Sequence, residues 1–275
     1  MNHIQQLQQV YPPSEARAIY RLVMETRFGL NQTDILLGKD TQLSEESQSE
    51  LEKIIGRLLT NEPVQYVLGE CEFCGHTFHV EPGVLIPRPE TEELVACVCR
   101  HMPPETHILD LGTGSGCIAV SLALRGYHVS ALDLSPIALE IASGNARALH
   151  AEVEFIQENI LHPSVSDRQW DALVSNPPYI CESEASSMQP NVLEYEPSMA
   201  LFVPDDDPLR FYRAIVDFAR THLRKQGKLF FEINRAFSNE IVQLLEESGF
   251  RNVECRKDQF GNDRIVLGTY EGNDV

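Results

Sequence analysis

Two hydrophobic periods divide this chain. Up to about residue 65 the apolar positions recur at helical spacing. In PSEARAIYRLVMETRFG, Ala16, Ile19, Tyr20, Leu22 and Val23 form a broad stripe, and Ser14 is the expected N-cap. In LSEESQSELEKIIGRLLTNEP, Leu51, Ile54, Ile55, Leu58 and Leu59 follow i, i+3, i+4, i+7, i+8 spacing, with Ser44 as cap and Pro63 as stop. A short segment around residues 35–37 lies between them. Residues 1–65 therefore read as a small helical domain. The period then changes. CEFCGHTFHV alternates loosely around Gly75 and predicts a β-hairpin, and EPGVLIPRPETEELV is a proline-punctuated loop running into a helix. Residues 66–90 read as a linker.

From Thr106 the pattern is strand, glycine turn, helix, repeated. Strands are expected at 106–111, 127–133, 152–157, 170–175 and 227–233, with helices at 115–125, 136–149 and 207–224. Strands joined by helical crossovers form a parallel sheet with helices on both faces. The end differs: FRNVECRKD and DRIVLGTY are joined by a short turn at Gly261, which makes them antiparallel. Residues 91–275 thus form an α/β domain whose sheet closes in an antiparallel hairpin, an arrangement that resembles the Rossmann-like methyltransferase architecture.

Composition narrows the function classes. The chain has 275 residues, 43% hydrophobic and 23% charged, enough to bury a core without staples. Its net charge of -19 argues against duplex nucleic acid as the main partner, because phosphate neutralisation needs a basic face. No apolar run reaches membrane-spanning length, and MNHIQQLQQVYPP has no signal-peptide pattern. The seven cysteines are odd in number and scattered, as reduced thiols in a cytoplasm would be.

The first chemistry-bearing stretch is ILDLGTGSGCIAV. Gly112, Gly114 and Gly116 allow positive φ and close approach of a ligand, and the following helix offers free N–H groups. A dinucleotide loop wants G-x-G-x-x-G, but Cys117 stands at the third glycine's place and the spacing here is G-x-G-x-G. With Asp110 at the strand end, DLGTGSG resembles a loop for S-adenosylmethionine. Asp133 ends the next strand, where a carboxylate accepts ribose hydroxyls or, alternatively, caps the helix at Ser135–Pro136. Asn159 and Ile160 end the third strand, where an amide and an aliphatic chain suit an adenine; Asn159 taken alone is more often a turn residue.

The second stretch, VSNPPYI, ends the fourth strand on the carboxyl edge. Asn176 and Pro177 both precede prolines and are held extended, while Pro177 and Pro178 have fixed φ and no N–H. Their carbonyls and the Asn176 side-chain oxygen are fixed acceptors that match the two hydrogens of one NH₂ group, and Tyr179 can lie against a planar amide or base. An amide nitrogen is a poor nucleophile, so holding it still is the help it needs. The fully structural reading is a proline turn.

CEFCGHTFH also gathers Cys71, Cys74, His76 and His79, but a zinc knuckle separates its ligand pairs by a longer span, and Phe73 and Phe78 suit hairpin packing. No metal is expected.

Taken in order, EPVQYVLGECEF, LIPRPETEELV, ILDLGTGSGCIAVSLA, VSNPPYI, YEPSMAL and GNDRIVLG resemble the release factor glutamine methyltransferases, the HemK/PrmC family, over nearly the whole chain. The resemblance implies S-adenosylmethionine as cofactor and, as substrate, the glutamine of the Gly-Gly-Gln loop of bacterial class I peptide release factors, gripped in part by the helical domain. It implies that Gly112, Thr113, Gly114, Ser115, Gly116, Asp133, Asn159 and Ile160 hold the cofactor. It further implies that Asn176, Pro177, Pro178 and Tyr179 hold the glutamine amide, with Asn176 also beside the cofactor, and that Arg88, Pro89 and Glu90 line the entrance or cover the cofactor. Simpler roles exist for Arg88 (a surface ion pair) and Glu90 (a first-turn acid). Two positions depart from the family: Asn159 replaces a common aspartate, and FEIN carries Asn234 where a glycine is usual, so a turn at positive φ is expected there. An adenine amino-methyltransferase shares the tetrad, and a non-catalytic module shares the fold; both stay open from sequence.

Overall fold

The computed structural model describes residues 2–163 and 168–272. The chain divides into two compact units, Met1–Glu70 with Met188–Tyr195, and Cys71–Ser187 with Glu196–Val275.

The first unit contains α1 (His3–Leu7), α2 (Pro13–Phe28), α3 (Gln32–Leu36), α4 (Glu45–Leu58) and α5 (Val64–Leu68). Ala16, Tyr20 and Val23 of α2 pack with Leu51, Ile55 and Leu58 of α4, as the helical spacing predicts. Leu22 does not join them; it is exposed at the edge of the stripe. The Ser44 hydroxyl accepts the Ser47 N–H and caps α4. Ser14 does not cap α2. That helix opens with Pro12 at the N-cap and Pro13 at its first position, where a preset φ and a missing donor make a side-chain cap unnecessary. Residues 188–195 belong to this unit too, and the Tyr195 hydroxyl donates to the Thr60 carbonyl at 2.8 Å.

The second unit starts with the expected hairpin, β1 (Glu70–Phe73) and β2 (His76–His79). Its turn residues, Cys74 and Gly75, both have positive φ, as a tight hairpin requires. Phe73 and Phe78 meet edge-on at 6.0 Å and enter the core. The Cys71 thiol faces the Pro87 carbonyl and the Cys74 N–H donates to Glu92. Among the described residues no three His, Cys, Asp or Glu side chains are grouped to hold a metal ion.

There follow α6 (Pro89–His101), β3 (His107–Leu111), α7 (Cys117–Ala123), β4 (His128–Asp133), α8 (Pro136–Ala148), β5 (Val153–Gln157), β6 (Trp170–Ser175), β7 (Ile180–Cys181), α9 (Pro190–Tyr195, part of the first unit), β8 (Phe202–Val203), α10 (Arg210–His222), β9 (Leu223–Glu232), α11 (Ser238–Glu247), β10 (Phe250–Lys257) and β11 (Asp263–Tyr270). Strand β9 begins earlier than the expected 227 because it follows α10 without a loop.

The main sheet runs β10-β11-β9-β6-β3-β4-β5. Strands β9, β6, β3, β4 and β5 are parallel neighbours, whereas β11 pairs antiparallel with both β9 and β10. The central strands are apolar on both faces because helices cover both. Ile108, Ala172, Val174 and Phe230 face one core; Leu109, Leu173, Leu229 and Phe231 face the other. Strand order reverses at β3, which has β6 on one side and β4 on the other, so the crevice for a ligand opens at its carboxyl end. No helix among the described residues is long and apolar enough to cross a membrane.

Candidate active site

The glycine loop leaves β3 at that crevice. The Gly112 and Thr113 N–H groups both donate to the Leu132 carbonyl, at 2.8 and 3.0 Å, which pins the loop to the end of β4. Gly112, Gly114 and Gly116 all have positive φ. Their surroundings differ. A Cβ on Gly112 or Gly114 would meet nothing within 4 Å, so the backbone there is bare toward open space. A Cβ on Gly116 would lie 2.9 Å from the Ala142 Cβ on α8. Gly116 is thus required by the contact of α7 with α8. Gly116→Ala is expected to lower stability by about 2–3 kcal/mol, from the left-handed φ together with overpacking, as chemical denaturation will show.

Asp133 closes the other side of the crevice. Its Oδ2 accepts the Gly114 N–H and its Oδ1 the Ser135 N–H, both at 2.9 Å. The helix cap is supplied by Ser135, whose hydroxyl accepts the Ala138 N–H, so Asp133 is not the cap of α8. Burial pushes the Asp133 carboxyl above its usual range, against the three backbone N–H groups that favour its charge.

Asp110 lies fully buried beneath the loop. Thr113 donates to its Oδ2 at 2.6 Å, and among the described residues its Oδ1 has no hydrogen-bond partner. Burial raises its pKa to about 7; the Thr113 hydroxyl opposes this and the Asp133 charge adds to it. The folded chain therefore holds a proton here that the unfolded chain has lost. This contribution to stability is complete below the ordinary carboxylate pKa, declines as pH climbs to about 7 and levels off above it. The wild-type thermal midpoint is expected to fall by about 10 °C more over that window than the midpoint of Asp110→Asn.

Asn145 ties the loop to the hairpin. Its Nδ2 donates to the Ser115 carbonyl at 2.9 Å and the His79 carbonyl at 3.0 Å, while its Oδ1 accepts the His79 N–H at 2.7 Å. At the end of β5, Asn159 makes the turn that its residue type allows: its Oδ1 accepts the Leu161 N–H at 3.0 Å. Ile160 is partly buried and packs against the core on the β6–β9 face of the sheet.

The tetrad leaves β6 next to β3, anchored by the Ser175 hydroxyl, which donates to the Leu111 carbonyl at 2.6 Å. Pro177 is buried, and Asn176, Pro178 and Tyr179 are half-buried. The Asn176 Nδ2 donates to the Thr91 hydroxyl at 3.3 Å. Tyr179 is not a loose face over the crevice: its hydroxyl donates to Glu232 Oε1 at 3.1 Å, and burial raises its pKa strongly. Sequence reasoning missed Thr91 and Glu232, which lie beneath the tetrad. The available signal was an acid at the end of the apolar run LFF. Asn234 follows with φ −72, extended rather than positive. Its side chain removes the need for a glycine turn: Oδ1 accepts the Ala236 N–H, and Nδ2 donates to the Tyr179 carbonyl at 3.2 Å.

Arg88 pairs with Glu196, whose carboxylate is buried and also accepts the Ile86 N–H at 3.2 Å. This is an internal anchor for the PRPETE segment rather than the surface pair expected from sequence, and removing Arg88 would leave the Glu196 charge buried without its partner. Glu90 occupies the first turn of α6, where the helix dipole favours an acid. A cavity of about 960 Å³ opens instead at the amino edge of the sheet, lined by His107, His128 and Arg168 among others; none of the expected site residues lines it.

Comparison with known proteins places the fold and the family. Residues 88–193 match the family described as "Methyltransferase small domain", and residues 3–69 match "PrmC N-terminal domain". The chain is 48% identical over 265 residues, 95% of each chain, to a Bacteroides thetaiotaomicron protein named "Release factor glutamine methyltransferase". In fold it is similar to a methyltransferase from Pyrococcus furiosus (TM-score 0.55, 18% identity, covering 79% of this chain and 98% of that one). It is equally similar to the Thermus thermophilus 16S rRNA N2 G1207 methyltransferase in complex with AdoMet and guanosine (TM-score 0.55, 19% identity, 73% and 49%).

Proposed function

Because this chain belongs to the release factor glutamine methyltransferases, we propose that it methylates the side-chain amide of the glutamine in the Gly-Gly-Gln loop of class I peptide release factors, with S-adenosylmethionine as methyl donor. The observation that carries the reading is the tetrad's place at the switch point, one strand from the glycine loop, with the Asn176 NH₂ engaged by Thr91 and its Oδ1 left to receive a donor.

The residues present fit the cofactor. Gly112 and Gly114 leave a cradle that side chains would fill, Asp110 Oδ1 is an orphaned acceptor for an ammonium, and the Asp133 carboxylate, which only accepts, faces the crevice from the end of β4. When bound, S-adenosylmethionine supplies a methyl group on an electrophilic sulfonium. Asp133 would hold the ribose hydroxyls, residues 112–116 would cradle the amino-acid end, and Asn159 with Ile160 would hold the base.

Asn176 Oδ1 and the Pro177 carbonyl accept the two N–H groups of the glutamine amide. They would hold its nitrogen oriented toward the donor and favour the positive charge it gains as the methyl's bond to sulfur breaks and a neutral thioether leaves. The nitrogen then loses one proton to water, so no strong base is required. Tyr179, with its proton committed to Glu232, serves as a rigid wall rather than an acid or base. Arg88 and Glu90 border the approach, and the helical unit grips the body of the release factor.

The test uses purified enzyme, methyl-labelled cofactor and a release factor with or without its Gly-Gly-Gln glutamine. Label on the intact factor alone supports the reading. Equal label on both, or label on duplex DNA in place of protein, overturns it.

A further inference from the structure

Glu232 sits at the carboxyl end of β9, 2% exposed, and both of its oxygens are used. Oε1 accepts the Tyr179 hydroxyl at 3.1 Å, and Oε2 accepts the Thr91 hydroxyl at 2.7 Å. Thr91 in turn receives the Asn176 Nδ2 at 3.3 Å. One carboxylate thus reaches both polar side chains of the tetrad, one of them directly and the other through a single hydroxyl.

That hydroxyl has one proton. A carboxylate only accepts, so the Thr91 proton lies on the bond to Glu232 and Thr91 presents lone pairs to Asn176. An amide facing a lone pair must turn its NH₂ toward it. The flipped amide would set two acceptors against each other in a half-buried site, at a cost comparable to an unmade buried hydrogen bond. We propose that Glu232, acting through Thr91, is a positioning residue that selects which end of the Asn176 amide faces the substrate, keeping the oxygen outward so that the tetrad binds an NH₂ donor. The inference rests on the proposed function and adds to it the source of the tetrad's polarity.

The same chain has a second state. Were Glu232 protonated, it would donate to Thr91, Thr91 would donate to Asn176 Oδ1, and the NH₂ would face outward against the substrate's own hydrogens. The groups around Glu232 set how readily this occurs. Burial raises its pKa, and the Thr91 hydroxyl, the Arg264 charge from β11 and the Tyr179 hydroxyl oppose that, while Glu90 on α6 adds to it. The Tyr212 hydroxyl from α10 donates to the Glu232 carbonyl, and Arg264 is itself paired with Asp258. Protonation of Glu232 would therefore reverse the polarity of the site.

The test follows the Asn176 side-chain NH₂ by ¹⁵N NMR across pH in the full chain, the signal being identified by its loss in Asn176→Asp. Methyl transfer to a release factor is measured alongside. In wild type the NH₂ signal is expected to titrate together with the acid limb of kcat; in Thr91→Val and Glu232→Gln that titration should vanish. Thr91→Val should lower kcat about 10–100-fold with little change in KM or in S-adenosylmethionine affinity by calorimetry, and Thr91→Ser should recover most of the rate. An NH₂ signal blind to Glu232, a Thr91→Val enzyme at wild-type kcat, or a Thr91→Ser enzyme as slow as the valine variant overturns the proposal. The NMR arm needs no protein substrate, so it decides the question even if a release factor proves not to be methylated.

Discussion

Asn176→Ala lowers kcat for release factor methylation by about a thousandfold while leaving S-adenosylmethionine affinity within about twofold. The expectation comes from what this side chain touches. Its NH₂ is spent on Thr91, and its oxygen is the one side-chain acceptor that the tetrad can offer an incoming amide. Alanine leaves only the Pro177 carbonyl, so one substrate hydrogen is desolvated without a partner and the nitrogen is free to rotate away from the methyl. The cofactor's own contacts, on the glycine loop and Asp133, are untouched. Single-turnover rates with labelled cofactor, beside calorimetric affinity, separate the two quantities. A fall in affinity as large as the fall in rate would mean that Asn176 belongs to the cofactor and not to the glutamine.

Asp133→Ala moves the other quantity. The carboxylate is placed by the Gly114 and Ser135 N–H groups, each at 2.9 Å, so it is oriented before any ligand arrives. Two charge-assisted bonds from ribose hydroxyls, at about 2 kcal/mol each, give a loss of roughly a thousandfold in cofactor affinity when the acceptor is removed. Asp133→Asn, which keeps one oxygen, should fall between. Calorimetry with S-adenosylmethionine reads both, and a thermal scan without ligand shows whether the loop has lost its anchor. An alanine variant with wild-type affinity would put the ribose elsewhere.

The parts of this fold that were legible in the sequence are those with a local cause. Doubly covered strands read as apolar runs, and β3, β4 and β6 lie close to the segments those runs predict. The glycine loop declared itself by composition. The failures share a different cause. Ser14 looked like a cap because the sequence pattern was weighed without the two prolines before it. Asn234 was assigned a positive φ on the strength of a missing glycine, but its side chain bonds Ala236 and Tyr179 and holds an extended turn. Glu232, Thr91, Tyr179 and Asn176 lie on three separate elements, and nothing in the spacing of 91, 176 and 232 announces that they meet. Only a carboxylate inside an apolar run hinted at a partner, and the hint carried no address. Glu196 is a further case: YEPSMAL marked the segment, but its buried bond to Ile86 and its pair with Arg88 had no local trace.

The helical unit is not contiguous in the chain. Residues 188–195 belong to it, with Tyr195 bonded to Thr60, although β1 to β7 and the helices among them are made first. On a ribosome, where chains emerge N-terminus first, that unit therefore waits for its last piece until four of the five parallel strands have left the tunnel. A fragment cut at the first boundary would carry the early helices without the segment that finishes them.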